Sequence, residues 1–117
     1  MAYMLLIVEP AGQRRARTEP ELRQRYEDML GYSADLKARG LLTMSQSLKT
    51  DEKGARVNAS GHERTVVDGP FAEAKEMIGG FFLLTCETRE QAIAIAAGCP
   101  AAQWATVEVR ELGPCFE

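Results

Sequence analysis

From Tyr3 to Val8 the chain is apolar at every position, so both alternating faces, Tyr3/Leu5/Ile7 and Met4/Leu6/Val8, are apolar. That pattern predicts a strand covered on both sides. After a polar loop, Thr18-Glu19-Pro20-Glu21 carries a capping-box pattern with proline in the first turn, which marks the start of a helix. Leu22, Tyr26, Met29, Ser33 and Leu36 then recur at threes and fours. They form one apolar stripe on a helix over 19–39, and Gly40 supplies its left-handed stop.

Residues 41–44 read as a second strand, and 45–53 are polar and turn-rich. Residues 55–58 and 63–67 flank the sequence ASGH, which predicts a hairpin with Gly61 in the strained turn position. Residues 80–86 are again apolar on both faces, and Thr88-Arg89-Glu90-Gln91 repeats the capping-box pattern. Ala92, Ile95, Ala96 and Cys99 mark the buried side of a second helix, ended by Gly98 and Pro100. The stretch 104–111 closes the chain as a strand with Val107 and Val109 on one face and Thr106, Glu108 and Arg110 on the other.

Two strand–helix–strand units in one short chain predict an α+β ferredoxin-like sandwich, an antiparallel sheet with both helices on one face. Two helices cover only one face of such a sheet, yet two of its strands are apolar on both. A second copy of the same sheet is the simplest cover, so a homodimer by two-fold packing is expected.

Composition narrows the function classes. The 117 residues suit a single domain spanning 1–117, and 45% apolar with 26% charged residues is ordinary for a folded protein. A formal net charge of −3 leaves no basic excess to displace phosphate counterions, so no nucleic-acid partner is expected. The one basic run, Arg14, Arg15, Arg17, Arg23 and Arg25, reads as a solvated segment neutralised by Glu19, Glu21, Glu27 and Asp28; an anionic-ligand site is the alternative. Cys86, Cys99 and Cys115 are odd in number and lack C-x-x-C spacing, as free thiols in a reducing compartment would be. Cys86 and Cys99 fall on buried faces, which leaves Cys115 as the reactive thiol. The short apolar start meets Glu9 at once, so neither a signal peptide nor a membrane span is expected, and the location is read as cytoplasmic. His62 sits in the hairpin turn, and one histidine beside Glu63 is too few ligands for a metal site. No metal and no cofactor are expected; Gly79-Gly80 lacks the flanking pattern of either nucleotide fingerprint. Trp104 reads as a packing residue.

The most distinctive stretch is VVDGPFAEAKEMIGGFF. Asp68 can accept backbone N–H bonds, Gly69 allows an unusual backbone angle, and Pro70 fixes its own, so a rigid bend is expected. Phe71 anchors it, Glu73, Lys75 and Glu76 follow, and Gly79-Gly80 lets a backbone or a ligand approach closely. A stiff corner with solvated charges accounts for this composition; a wall of a binding site accounts for it equally. Glu108 and Arg110 stand on the sheet face that a partner should cover, which implies a polar cavity or an internal ion pair.

DGPFAEAKEMIGGFF, with the start YMLLIVE, the stretch AAGCPAA and the strand VEVRE, resembles the YCII-related family in its DGPF subgroup over nearly the whole chain. The resemblance implies a dimeric α/β barrel. It also implies a cleft between the sheet and the helix side or partner, lined by Asp68, Gly69, Pro70, Phe71, Glu73, Lys75, Glu76, Glu108 and Arg110. The wider superfamily includes enzymes resembling muconolactone isomerase and dehalogenating lyases, in which a His–Asp pair transfers a proton. His62 departs from that pattern, because the YCII-type histidine belongs on the first helix. Acid–base chemistry would then fall to Asp68, Glu73 or Glu108, raised in pKa by burial.

Three functions follow. One is a binding or regulatory module in which Arg110 and Lys75 hold a small anionic or carbonyl-containing ligand; the resemblance adds an accessory role in sigma-factor-linked transcription. Another is an isomerase or lyase with Asp68 or Glu108 as base and Arg110 stabilising the oxyanion. The third is a structural dimer with no ligand, locked by its charged cluster.

Overall fold

The computed structural model describes residues 2–117. Strands β1 (Tyr3–Pro10), β2 (Leu42–Ser47), β5 (Glu76–Leu84) and β6 (Thr106–Glu111) make one sheet in the order β2-β5-β1-β6, and every pair in it is antiparallel. Helices α1 (Glu19–Ala38) and α2 (Arg89–Ala97) complete the ferredoxin-like arrangement. Strands β3 (Ala55–Asn58) and β4 (Thr65–Asp68) form a separate two-stranded hairpin.

Each helix begins where its cap demands. The Thr18 Oγ1 accepts the Glu21 N–H at 3.3 Å, and the Thr88 Oγ1 accepts that of Gln91 at 3.1 Å. Beyond α1, Gly40 takes φ 72°, the left-handed conformation that a side chain disfavours.

The core lies between the helices and one face of the sheet. Tyr3, Leu5 and Ile7 from β1 meet Phe82 and Leu84 from β5, Leu36 from α1, and Ala92, Ile95 and Ala96 from α2, all buried. Tyr32 stands edge-on to Phe82, ring centroids 5.3 Å apart, and burial pushes its hydroxyl pKa up. Among the described residues no helix covers the opposite sheet face. Met4, Leu6, Val8, Phe81 and Leu83 lie on it half-buried, while Met44 and Ile78 are exposed. At 18 Å through its thinnest dimension the chain is two layers deep, with one apolar face open.

Several boundaries differ from expectation. β5 begins at Glu76 rather than at Gly80, because Pro10 and Glu76 still pair and the Ala11 N–H bonds to the Lys75 carbonyl at 2.9 Å. β2 runs on to Ser47; as an edge strand it tolerates the polar tail that suggested a loop. Trp104 does not begin a strand, since it closes a 3-10 turn at Pro100–Gln103 ahead of β6.

Cys86 and Cys99 are buried, burial raises both thiol pKa values, and Cys115 is exposed. A thiol-reactive dye is therefore expected to label one site rapidly in the native protein and all three cysteines only after unfolding. Rapid labelling of two in native buffer would contradict the packing of α2.

Candidate functional site

The glycine pair has its reason in β1. Continuing the buried face Tyr3, Leu5, Ile7 by one step brings Glu9 inside, 5% exposed. A buried carboxylate needs a partner. Arg14 supplies one from the following loop: its Nε donates to Glu9 Oε1 at 2.7 Å and its Nη2 to Oε2 at 3.1 Å. The same guanidinium donates to the carbonyls of Leu48 at 2.7 Å and Gly79 at 3.2 Å. Four acceptors around one rigid fork hold the end of β1, the end of β2 and the β5 bulge together.

The bulge is part of this design. Ile7 pairs with Gly80 and Val8 with Ile78, so Gly79 is the extra residue. A Cβ on Gly79 would stand 2.0 Å from Glu9 Oε2 and 2.8 Å from Arg14 Nη2. One on Gly80 would stand 2.9 Å from the Gln46 carbonyl of β2. The close approach expected at this glycine pair is made by the chain's own ion pair and neighbouring strand.

Above the ion pair lies a cavity of about 450 Å³ between α1 and the sheet. Its floor is Ile7, Phe82 and the Glu9–Arg14 pair; its wall from α1 is Leu22, Arg25, Tyr26, Met29 and Ser33; Ser45, Ser47 and Trp104 close the sides. Those α1 residues are largely the stripe expected to be packed, yet Leu36 is the one buried residue of α1, and Tyr26 and Leu30 are about half exposed. Facing them are serines and glycines, too small to fill the gap, so the first turns of α1 stand over a hollow. At its edge the Arg25 guanidinium lies 4.6 Å from the Trp104 ring centroid, and Gln13 Nε2 donates to the Trp104 carbonyl at 2.8 Å.

The DGPF bend lies elsewhere. Gly69–Pro70 is a cis peptide, the Gly69 N–H donates to the Gly54 carbonyl at 2.9 Å, and a Cβ on Gly69 would be 1.7 Å from the Asp51 carbonyl oxygen. The Phe71 N–H donates to Asp51 Oδ2 at 3.3 Å, and the Arg56 guanidinium lies 3.9 Å from the Phe71 ring centroid. Asp51, twenty residues upstream, is thus the acceptor for the bend, rather than the adjacent Asp68, whose side chain is exposed at the end of β4. Asp51→Ala is expected to cost about 1 kcal/mol in a urea melt and Asp68→Ala under ~0.5 kcal/mol. The reverse order would show that Asp68 holds the turn.

Phe71 and Glu76 line a second hollow of about 550 Å³ with Val8, Ile78, Lys49 and Arg56. Pro70, Glu73 and Lys75 are exposed. Glu108 Oε2 accepts from Arg110 Nη1 at 3.1 Å, both side chains are largely solvent-facing, and neither lines either of these two hollows. Within one chain, therefore, the expected residues divide into a clamped bend and a separate surface pair on β6. Of the helix-side residues, Arg14 and Arg25 entered the sequence reading only as an alternative anionic-ligand site, and Glu9 and Trp104 were not expected site residues. The position of Glu9, in phase with Tyr3, Leu5 and Ile7, was the available signal.

Among the described residues no group of three or more His, Cys, Asp and Glu side chains is placed to hold a metal ion. No helix among them is long and apolar enough to cross a membrane. A family model described as a YCII-related domain matches residues 1–115. The chain is also similar to an uncharacterised protein of Rhizobium meliloti (strain 1021), 40% identical over 60 residues, which cover 50% of this chain and 48% of that protein. The matched stretch thus spans about half the length of this curated relative.

Proposed function

Since the chain belongs to the YCII-related family, and since its first helix stands over an open hollow, we propose that it is a small-molecule-binding module. The observation that carries this is the cavity of about 450 Å³ between α1 and the sheet, which falls within the usual range for small ligands. It combines apolar walls with a few fixed polar groups, and the Arg14 fork holds its floor rigid.

Binding without turnover is favoured over isomerase or lyase chemistry by the carboxylates. Asp68, Glu73 and Glu108 do not line the helix-side cavity, and the buried Glu9 there has both oxygens engaged by Arg14. None of them is a free base in that cavity. An unfilled cavity likewise favours a ligand over a purely structural dimer. The DGPF string supports, in our reading, membership of the DGPF subgroup, whose resemblance carries the expected accessory role in sigma-factor-linked transcription; a ligand cavity would supply the sensing half of such a role.

We propose further that the functional unit is a homodimer of the dimeric-barrel type, joined through the open sheet face of Leu6, Phe81 and Leu83. Light scattering is expected to give twice the chain mass, and Leu6→Glu, which puts a charge at the centre of that face, to give a folded monomer. A wild-type monomer at high concentration would remove the dimer from the proposal.

The binding role is tested by a fragment screen on isotope-labelled protein. Saturable shifts are expected at the Trp104 indole N–H and the amides of Arg25 to Ser33. Hits that perturb only the neighbourhood of Phe71, or no saturable hit at all, would move the site away from the helix or remove it.

A further inference from the structure

The charges around the helix-side cavity do not cancel. Its lining carries one carboxylate, Glu9, and two guanidinium groups, Arg14 and Arg25. Glu9 and Arg14 neutralise each other through paired hydrogen bonds, which leaves Arg25 without an ion-pair partner in the lining; Glu21, one turn away on α1, feels its charge from outside the cavity.

The acids near Arg25 along the chain are largely engaged with other partners. Glu19 accepts from Arg23, Glu21 pairs with Arg17 and accepts the Thr18 hydroxyl, and Asp28 accepts from Gln24. Among the described residues the Arg25 guanidinium has no hydrogen-bond acceptor, and its one specific contact is the face of Trp104. A contact with the ring face consumes none of the guanidinium N–H groups in hydrogen bonds, so the fork stays unspent. The Trp104 backbone is held by Gln13, whose Nε2 donates to its carbonyl. The result is a preoriented fork at the edge of a hollow, with Met29 and Phe82 beyond it.

Deeper along the helix, the Ser33 and Ser45 hydroxyls share one hydrogen bond at 3.1 Å, which uses one of their two protons. A polar group at the far end of a ligand could take the other. Arg25 and Ser33 are eight residues apart on α1, about 12 Å along its axis, and the side chains at both ends shorten that span to roughly the length of one ring with a short chain.

We infer that the helix-side cavity takes a small amphipathic carboxylate, its acid group on the Arg25 fork and its apolar body against Met29 and Phe82. This ligand class rests on the binding role proposed above. A single negative charge suits the one guanidinium of the lining that has no ion-pair partner there, and a planar carboxylate matches its N–H fork. The basic run, read in sequence as a neutralised segment with an anionic-ligand site as the alternative, thereby divides: Arg14 is structural, and Arg25 is the ligand anchor.

The test uses calorimetry on the whole chain with phenylpropionate and its uncharged amide as probes. The acid is expected to bind about tenfold or more tightly than the amide. Arg25→Gln should abolish that preference by weakening the acid alone, with an unchanged melting temperature showing an intact fold. Arg25→Lys, which keeps the charge but loses the fork, should retain part of the preference.

Equal affinity for acid and amide, or a preference that survives Arg25→Gln, would overturn the carboxylate assignment while leaving the cavity a binding site. Tighter binding of phenyl phosphate than of phenylpropionate would overturn it in favour of a dianion. Failure of both phenylpropionate and its amide, alongside neutral fragments that do shift the Trp104 indole, would overturn the ligand class alone; failure of every fragment would overturn the binding role with it.

Discussion

Gly79→Ala is expected to lower the unfolding free energy by about 2–4 kcal/mol. The added methyl would lie 2.0 Å from Glu9 Oε2, so either the carboxylate leaves Arg14 or the β5 bulge moves. Moving the carboxylate uncouples a buried charge from its partner; moving the bulge strips the Gly79 carbonyl from Arg14 and from the Leu48 N–H, which bonds to it at 2.9 Å. Both routes are costly. Gly31→Ala supplies the contrast, because Gly31 lies inside α1 and the methyl added there would meet nothing within 4 Å. There the same change should stabilise by up to about 1 kcal/mol through helix propensity. Guanidinium melts of both variants test the pair. If Gly79→Ala costs as much in a Glu9→Ala background as in the wild type, the clash is not with the ion pair.

Leu36→Ala should cost about 2–4 kcal/mol, the usual range for a leucine removed from a closed core. Leu36 is fully buried and is the one buried residue of the 20-residue α1. Removing it releases the C-terminal half of the helix, which is the half that is packed. Tyr26→Ala, farther up the same stripe and 52% exposed, should cost less than ~1 kcal/mol. A large loss at Tyr26 would mean that the N-terminal turns of α1 are packed on the sheet, and the hollow beneath them would not exist. Stability and binding should thus separate along one helix, with the anchor at Leu36 and the ligand wall at Arg25 and Met29.

The sequence revealed whatever depends on local chemistry. Strand β1 was legible from its unbroken apolar run, α1 from Thr18, Pro20 and its three-and-four spacing, and the left-handed turns at Gly40 and Gly61 from glycine alone. The order of elements then led to the ferredoxin-like topology. What escaped was set by partners distant in the chain. Leu22 and Tyr26 looked like core because nothing local says that serines and glycines would face them across the sheet, whereas Met29 of the same stripe does pack, partly buried, against the core. Glu9 looked like the end of a strand because its partner comes five residues later, after a turn. The bend at Asp68 to Phe71 was legible from its turn residues, but its acceptor at Asp51 belongs to a segment that carried no signal of its own.

The β3–β4 hairpin leaves a different kind of mark. Every residue from Ala55 to Asp68 is exposed, and Val57, Val66 and Val67 find no core within the chain. An isolated two-stranded ribbon is marginal in water, so in one chain this arm is held chiefly at its base, where Gly69 and Phe71 meet Gly54 and Asp51. The arm should therefore open as a sub-global unit while the four-stranded sheet stays closed. Its amides would exchange with solvent early and largely independently of denaturant, and trypsin would cut at Arg56 or Arg64 in a protein that is otherwise native.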